Sequence, residues 1–375
     1  MAVVFYISGH GFGHAARQIE IINALLARAP ELPVIIRTGA EPRLFARTLI
    51  GPAVFQAVDV DTGAIQRGGL DVDVPATIDA AAAFHRDIDR RADVEAQALH
   101  AAGARAVVGD IPPLAFVAAA RAGVPSFGVS NFTWDWIYDG YGDDLARAPW
   151  LVPRLRACYA DATEAWRMPL WGGFESFRTI RDLPFVARHA RHARDDVRAA
   201  LRLPAREPLV LVSFGSYGAG GIDLPAAARS LASRGAGGET VARVMIVSND
   251  PPVSADVVHV SEATLDAARL RYEDLVAACD IVCSKPGYGI ISECVANGAR
   301  LLYTSRGRFR EYDVFVRDMD RYLPAAFIEQ DALKAGRWRD AVRGLLRQPA
   351  PPRPPTNGAD VAVDWLLARL ADIGD

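Results

Sequence analysis

Apolar residues along this chain fall in short unbroken runs rather than in alternation with polar ones. VVFYI (3–7), VIIRT (34–38), AVFQAVDV (53–60), AVVGD (106–110) and PSFGVS (125–130) read as strands. Runs that are apolar on both faces predict burial on both sides, as in a parallel sheet. Between them the period lengthens: residues 12–28 place Ile19, Ile22, Leu25 and Leu26 on one helical face. Strands alternating with helices are the pattern of βαβ units in a doubly wound fold. The pattern then restarts with PLVLVSFGS (208–216), VARVMIVS (241–248), DVVHV (256–260), DIVCS (280–284) and RLLYTS (300–305). Helices are expected over 223–233, 272–278, 287–297 and 312–322. Residues 171–195 carry no clear period and read as a connection. QPAPPRPPTNG (348–358) is a stiff, extended spacer, and a last amphipathic helix over 359–372 carries Val361, Val363, Leu366, Leu367 and Leu370. The expectation is an α/β protein of two Rossmann-like doubly wound domains facing a cleft. The first spans residues 1–190 and the second 191–350, with the helical tail (357–375) packing back on the first.

Composition narrows the partners. The chain has 375 residues, 42 basic and 45 acidic, for a net charge of −3, a balance that gives no reason to expect a nucleic-acid partner. No apolar run approaches the roughly 18 residues of a membrane span. The N-terminus lacks the basic flank and small-residue cleavage site of a signal peptide. Cys158, Cys279, Cys283 and Cys294 form no C-x-x-C pair and are expected as reduced, buried thiols. The location expected is cytoplasmic.

In open parallel sheets, ligands sit beyond the carboxyl ends of the strands, so the residues after each strand matter most. The first such loop is GHGFGH (9–14). A dinucleotide fingerprint would need a third glycine where His14 stands, which disfavours a nicotinamide site. His10 and His14 have the i, i+4 spacing of metal ligands, but no H-E-x-x-H glutamate lies between them and no third ligand is evident. What remains is a glycine turn that lifts a histidine at the first turn of a helix. Free N–H groups there favour anions, and imidazole suits base chemistry near neutral pH. The alternative is that both histidines only pack the turn. Asp110 ends a later strand of the same sheet. Asn131 follows another, leading into FTWDWIYDGY (132–141), whose aromatic residues with Asp135 suggest either the wall of a small-molecule pocket or a satellite core.

The second half has its own loops. SFGSYGAGG (213–221) is glycine-rich after a strand, and SKPGYGIISE (284–293) enters a helix through Gly287 and Gly289 with Lys285 beside them. Such a helix start is open to phosphate oxygens, and Glu293 lies where a carboxylate could take two ribose hydroxyls. RGRFREY (306–312) follows a third strand.

These segments resemble those of GT-B glycosyltransferases. SFGSYG is similar to the phosphate loop of UDP-sugar transferases, and CDIVCSKPGYGIISECVANG to their donor-binding segment. GHGFGH is similar to the glycine loop of the peptidoglycan N-acetylglucosaminyltransferases, with His14 at that motif's histidine. A nearer resemblance is to the N-terminal half of plant L-arabinokinases, through GHGFGHAAR, SNFTWDWIYDGY, KPGYGIISE and the stretch Arg310 to Trp338, covering roughly residues 3–340. No kinase phosphate loop accompanies it, so kinase activity is not implied. The long tryptophan-headed signature of plant UDP-sugar transferases is absent too, which leaves the donor's base open.

The resemblance implies a metal-independent glycosyltransferase without a cofactor. Its substrates would be a nucleotide-sugar donor, UDP-linked, and a small-molecule or glycan hydroxyl acceptor. His14 would be the base and Asp110 its orienting carboxylate. Ser216, Tyr217, Lys285, Gly287, Tyr288 and Gly289 would face the diphosphate, Glu293 the ribose, and Arg310 and Glu311 the sugar. His10, Gly11, Asn131, Trp134 and Asp135 would hold the acceptor. Rival readings on the same residues are a nucleotide-sugar epimerase or hydrolase and a non-catalytic nucleotide-sugar-binding module.

Overall fold

The computed structural model describes residues 2–67, 71–214, 221–232, 240–250, 252 and 254–372. Its strands in chain order are β1 (Ala2–Ile7), β2 (Val34–Thr38), β3 (Val54–Ala57), β4 (Gln66–Arg67), β5 (Asp71–Val72), β6 (Ala104–Asp110), β7 (Ser126–Phe132), β8 (Glu164–Gly172), β9 (Ile180–Asp182), β10 (Leu209–Val212), β11 (Arg243–Val247), β12 (Val257–Val260), β13 (Ile281–Ser284), β14 (Arg300–Tyr303) and β15 (Ala325–Phe327). Two parallel sheets result. One has the order β3-β2-β1-β6-β7-β8-β9, the other β12-β11-β10-β13-β14-β15, and β4 and β5 form a small antiparallel pair.

β1 shows why the continuous apolar pattern demands this arrangement. All six of its residues are buried. Val3, Phe5 and Ile7 share a cluster with Ile19, Ile22 and Leu25 of the helix Gly11–Arg28, whereas Val4 and Tyr6 pack on the opposite face with Leu114, Ala118 and Ile88. Helices cover both faces, so every β1 side chain leaves water, at about 1.5–3 kcal/mol for each large apolar one.

Besides the short β4–β5 pair, three strands lie outside the sequence expectation. β8 carries Pro169, a left-handed Leu170 at φ 61 and a register shift against β7, so its pattern is broken. β9 and β15 have three residues each at sheet edges. The stretch 171–195, read as a plain connection, therefore supplies the end of β8 and the whole of β9. The first sheet closes at Asp182, and the helix Arg194–Ala200 belongs with the second, because Arg194 and Arg198 both bond Asp280 before β13.

The tail crosses between the domains. Pro355 accepts from Phe185 N–H, and Gly358 N–H donates back to Phe185. A Cβ on Gly358 would stand 2.4 Å from the Pro184 carbonyl, so no larger residue fits that approach. The helix Gly358–Asp372 then lies against the helix Gly11–Arg28, burying Val363, Leu366 and Leu370. Trp365 meets Trp166 edge to face at 5.7 Å, and Arg105 reaches the Leu370 carbonyl.

Candidate functional site

The carboxyl ends of both sheets face one cleft of 1120 Å³, lined from the first domain by His10, Gly13, His14 and Arg17, and from the second by Lys285, Gly287, Tyr288, Gly289, Glu293, Arg306 and Glu311. Two helix N-termini converge on it. The helix Gly11–Arg28 begins after His10 and the helix Tyr288–Asn297 after Gly287, neither with a side-chain cap. A Cβ on Gly287 would touch nothing within 4 Å, and one on Gly289 would meet only Gly13 Cα, at 3.9 Å. Uncapped N–H groups at the positive ends of two helices make this gap attractive to an anion.

On the first-domain side, β1 delivers the helix start that carries His14, and β6 ends on Asp110. His14 Nδ1 lies 2.8 Å from Asp110 Oδ1 and 2.9 Å from Arg17 Nη2. Because Arg17 Nη2 has Asp110 and Ser130 as acceptors, the tautomer that suits the carboxylate is the one with Nδ1–H donating to it. His14 Nε2 has no protein partner among the described residues. Asp110 is held further by Arg17, from Nε to Oδ2 (2.5 Å) and from Nη2 to Oδ1 (2.6 Å), and by Gln18 Nε2 at 3.0 Å. Burial would raise the Asp110 carboxyl, but Arg17 and His14 together hold it well below the ordinary carboxylate range. Arg17 also donates to Asn131 Oδ1 (2.7 Å), and Asn131 Nδ2 donates to Glu311 Oε1 of the second domain at 2.7 Å.

His10 lines the same floor. Its Nδ1 accepts from Ala64 N–H at 3.3 Å. Burial, followed by the nearby His14, Arg306 and Lys285, pushes it down to about 3, so it is neutral near pH 7. Gly11 is the first residue of its helix. Behind the histidines sits Asp61, accepting from Ser8 Oγ (3.0 Å) and Trp134 Nε1 (2.9 Å). Its burial raises the carboxyl to about 6 against the pull of those bonds.

On the second-domain side, Lys285 stands between β13 and the open helix start, and burial with neighbouring Arg306 lowers it to about 8. Glu293 is buried, and its Oε1 takes both Arg188 Nε (2.7 Å) and Nη2. Its Oε2 has no hydrogen bond among the described residues. Burial raises the Glu293 carboxyl and the like charge of Glu273 adds to it, against the opposing pull of Arg188, which also stands 3.6 Å from Glu273.

Several expected site residues stand elsewhere. Arg310 does not reach the cleft: its Nη1 donates to the Trp136 carbonyl at 2.9 Å and its guanidinium lies 4.8 Å over the Trp136 ring, tying the second-domain loop to the outside of the first domain. Arg306, from the same loop, is the cation in the cleft. Trp134 and Asp135 are buried in a packed aromatic cluster rather than on the cleft wall. Asp135 accepts from Ser176 Oγ at 2.9 Å, and Trp134 stacks on Tyr138. Asn131 is buried between Arg17 and Glu311. The Tyr288 hydroxyl turns to the linker and accepts from Val186 N–H at 3.1 Å, so its backbone rather than its phenol is what the helix start offers. Ser216 and Tyr217 lie outside the described residues. Sequence reading gave no role to Arg17, Asp61, Arg188 or Arg306. Arg17 alone carried a usable signal, since a residue three positions after His14 shares its helix face. Among the described residues no cluster of three or more His, Cys, Asp or Glu could hold a metal ion, and no helix is long and apolar enough to cross a membrane.

No family model matches the chain. It is 28% identical over 353 residues to L-arabinokinase from Arabidopsis thaliana, a match covering 90% of this chain and 31% of that protein, so the chain spans about a third of the length of this curated relative. Among solved structures it resembles the glycotransferase of kitacinnamycin (TM-score 0.61, 15% identity, 98% of each chain). It also resembles the glycosyltransferase SnogD from Streptomyces nogalater (0.56, 16%, 98% of this chain and 99% of that one), and MurG from Acinetobacter baumannii (0.54, 14%, 98% and 100%). The fold is that of the GT-B glycosyltransferases: two parallel-sheet α/β domains, here of seven and six strands, that face each other.

Proposed function

We propose that this protein transfers a sugar from a nucleoside-diphosphate donor, UDP-linked, to a hydroxyl acceptor, with His14 as general base. The observation that carries the reading is the His14–Asp110 pair at 2.8 Å, on the cleft floor opposite an uncapped helix start. In the proposed step the acceptor hydroxyl gives its proton to His14 Nε2 as its oxygen bonds the anomeric carbon. The bond from that carbon to the diphosphate breaks, and the nucleotide leaves with the electron pair. Asp110 orients the ring and stabilises the imidazolium as it forms. Lys285, Arg306 and the N–H groups of the helix Tyr288–Asn297 meet the charge that grows on the leaving phosphate. Glu293 Oε2 is available to a ribose hydroxyl. Group transfer of this kind involves no net oxidation, so the reading calls for no redox cofactor.

A cleft of 1120 Å³ exceeds the usual ~300–1,000 Å³ of a single-ligand site and has room for donor and acceptor together. One observation favours the hydrolase or epimerase reading as a second: of the aromatic cluster meant to wall the acceptor, Phe132 lines the cleft while Trp134, Tyr138 and Tyr141 are buried in the core. Kinase activity is not part of the proposal, because the match covers only 31% of the protein bearing that name.

The test is a panel of UDP-, GDP-, ADP- and dTDP-sugars. A donor at 100 times its dissociation constant stabilises the fold by about 2.7 kcal/mol, seen as a higher melting temperature. Stabilisation by a UDP-sugar followed by acceptor-dependent release of UDP supports transfer. Release of free sugar regardless of acceptor supports the hydrolase. No stabilisation by any member contradicts the nucleotide-sugar assignment.

A further inference from the structure

Asn131 joins the two domains through a chain of buried hydrogen bonds. Its Oδ1 accepts from Arg17 Nη1 at 2.7 Å, and its Nδ2 donates to Glu311 Oε1 at 2.7 Å. The amide can point only this way, since a guanidinium has no acceptor and a carboxylate no donor. Arg17 in turn spends Nε and Nη2 on Asp110, and Asp110 Oδ1 holds His14. Glu311 opens the second-domain helix Glu311–Asp318 and sits 3.4 Å from the Arg306 guanidinium in the cleft. His14, Arg17, Asp110, Asn131 and Glu311 are all buried. The chain therefore runs from His14 in the first domain to the cleft loop of the second. Arg17 Nη2 also donates to Ser130 Oγ at 2.9 Å and the guanidinium lies 5.3 Å over the Tyr288 ring, so losing Asn131 frees only the Nη1 edge, the one that links Arg17 to Glu311.

We infer that Glu311 and Asn131 are positioning residues for His14, acting through Arg17 and Asp110, so that the base is set in place only while Glu311 keeps its hydrogen bond to Asn131 across the domain boundary. This deepens the proposed function and rests on His14 being the base. An amide is required at 131, because a carboxylate there would face Glu311 and an aliphatic side chain would strand two buried polar groups. Glu311 would accordingly serve the domain contact rather than bind the sugar alone.

The experiment reads His14 directly, without substrate. Long-range proton–nitrogen NMR of the full chain reports the His14 ring nitrogens, identified by their loss in His14→Ala. Asn131→Ala and Glu311→Ala should each shift those nitrogens, and the double variant should shift them no further. Glu311→Gln, whose amide oxygen still accepts from Asn131, should leave them in place. Arg310→Ala, which loosens the same loop at a contact outside the chain of bonds, should also leave them in place. In turnover, Asn131→Ala should lower kcat on the order of 10²-fold, the effect of misplacing a catalytic group by about an ångström, with little change in UDP affinity. Unmoved His14 signals in Glu311→Ala overturn the inference, as does an equal shift in Arg310→Ala. Should Asn131→Ala fail to fold, Glu311→Ala and Glu311→Gln decide. If His14→Ala is inactive while Asn131→Ala and Glu311→Ala turn over normally, only this inference falls. If His14→Ala itself keeps full activity, the base reading falls first.

Discussion

Asp110 and Glu293 are both buried carboxylates gripped by an arginine at the carboxyl edge of a sheet, yet their surroundings drive them in opposite directions. Asp110 takes four donors from Arg17, His14 and Gln18, and is held firmly ionised. Glu293 receives one arginine that it shares with Glu273, both bonds falling on one oxygen, and its carboxyl is raised. Burial acts the same way on both, so the opposing partners decide the sign: Arg17 and His14 lower Asp110, whereas at Glu293 the like charge of Glu273 works against Arg188. A carboxylate saturated by protein donors can orient a neighbour but cannot take a ligand. One with an unspent oxygen can. The first domain has the chemistry of a fixed catalytic floor and the second that of an open ligand wall.

The largest expected effect tests the floor. Asp110→Asn keeps the shape of the side chain but removes its charge, and turnover should fall by about 10²–10⁴-fold, the usual contribution of general-base catalysis. The same exchange at the wall, Glu293→Gln, should leave kcat nearly intact. Equal losses of kcat at both positions would erase the distinction. Next is stability. Asp110→Ala leaves Arg17 buried without its one directly bonded carboxylate, a change that costs about 3–5 kcal/mol and is measurable by urea unfolding. Glu293→Ala should cost less, because Arg188 keeps Glu273. Glu293→Ala should instead weaken UDP binding about tenfold, the equivalent of about 1.4 kcal/mol, by calorimetry. Unchanged affinity would remove Glu293 from the donor site. The smallest effect concerns Lys285, lowered to about 8. Its positive charge is present below that value and lost above it, so UDP affinity should decline as pH rises from 7 to 9, more gently where the bound anion retains the proton. Lys285→Arg, charged throughout, should flatten the profile. An identical decline in that variant would assign the pH dependence to another group.

The sequence made the sheet centres plain and the edges obscure, for a physical reason. Strands such as β1, β6 and β13 are buried on both faces and announce themselves as apolar runs. β9 is exposed, and β8 is interrupted by Pro169 and by a left-handed Leu170, so neither carries a period to detect. The site divides likewise. His14 and the glycines at 287 and 289 stand out because their loops follow strands. The glycines are open to the cleft and constrained by what must approach them. Arg17, Asp61 and Arg188 draw their importance from partners 93, 73 and 105 positions away, a relation that spacing along one segment does not display. The aromatic run 132–141 stayed ambiguous because a wall and a core have the same composition, and Phe132 indeed lines the cleft. Only packing separates them, and here Trp134, Tyr138 and Tyr141 are all buried.

The central claim is that His14 takes the acceptor's proton, and the measurement that tests it most directly is the split between turnover and nucleotide binding in His14→Ala. With a donor and acceptor established by the panel, the account predicts a loss of kcat of about 10²–10⁴-fold while the UDP dissociation constant measured by calorimetry stays as in the unaltered protein. Turnover near the unaltered rate would contradict it, leaving GHGFGH as a structural turn, and so would a loss of activity that tracks a matching loss of UDP affinity.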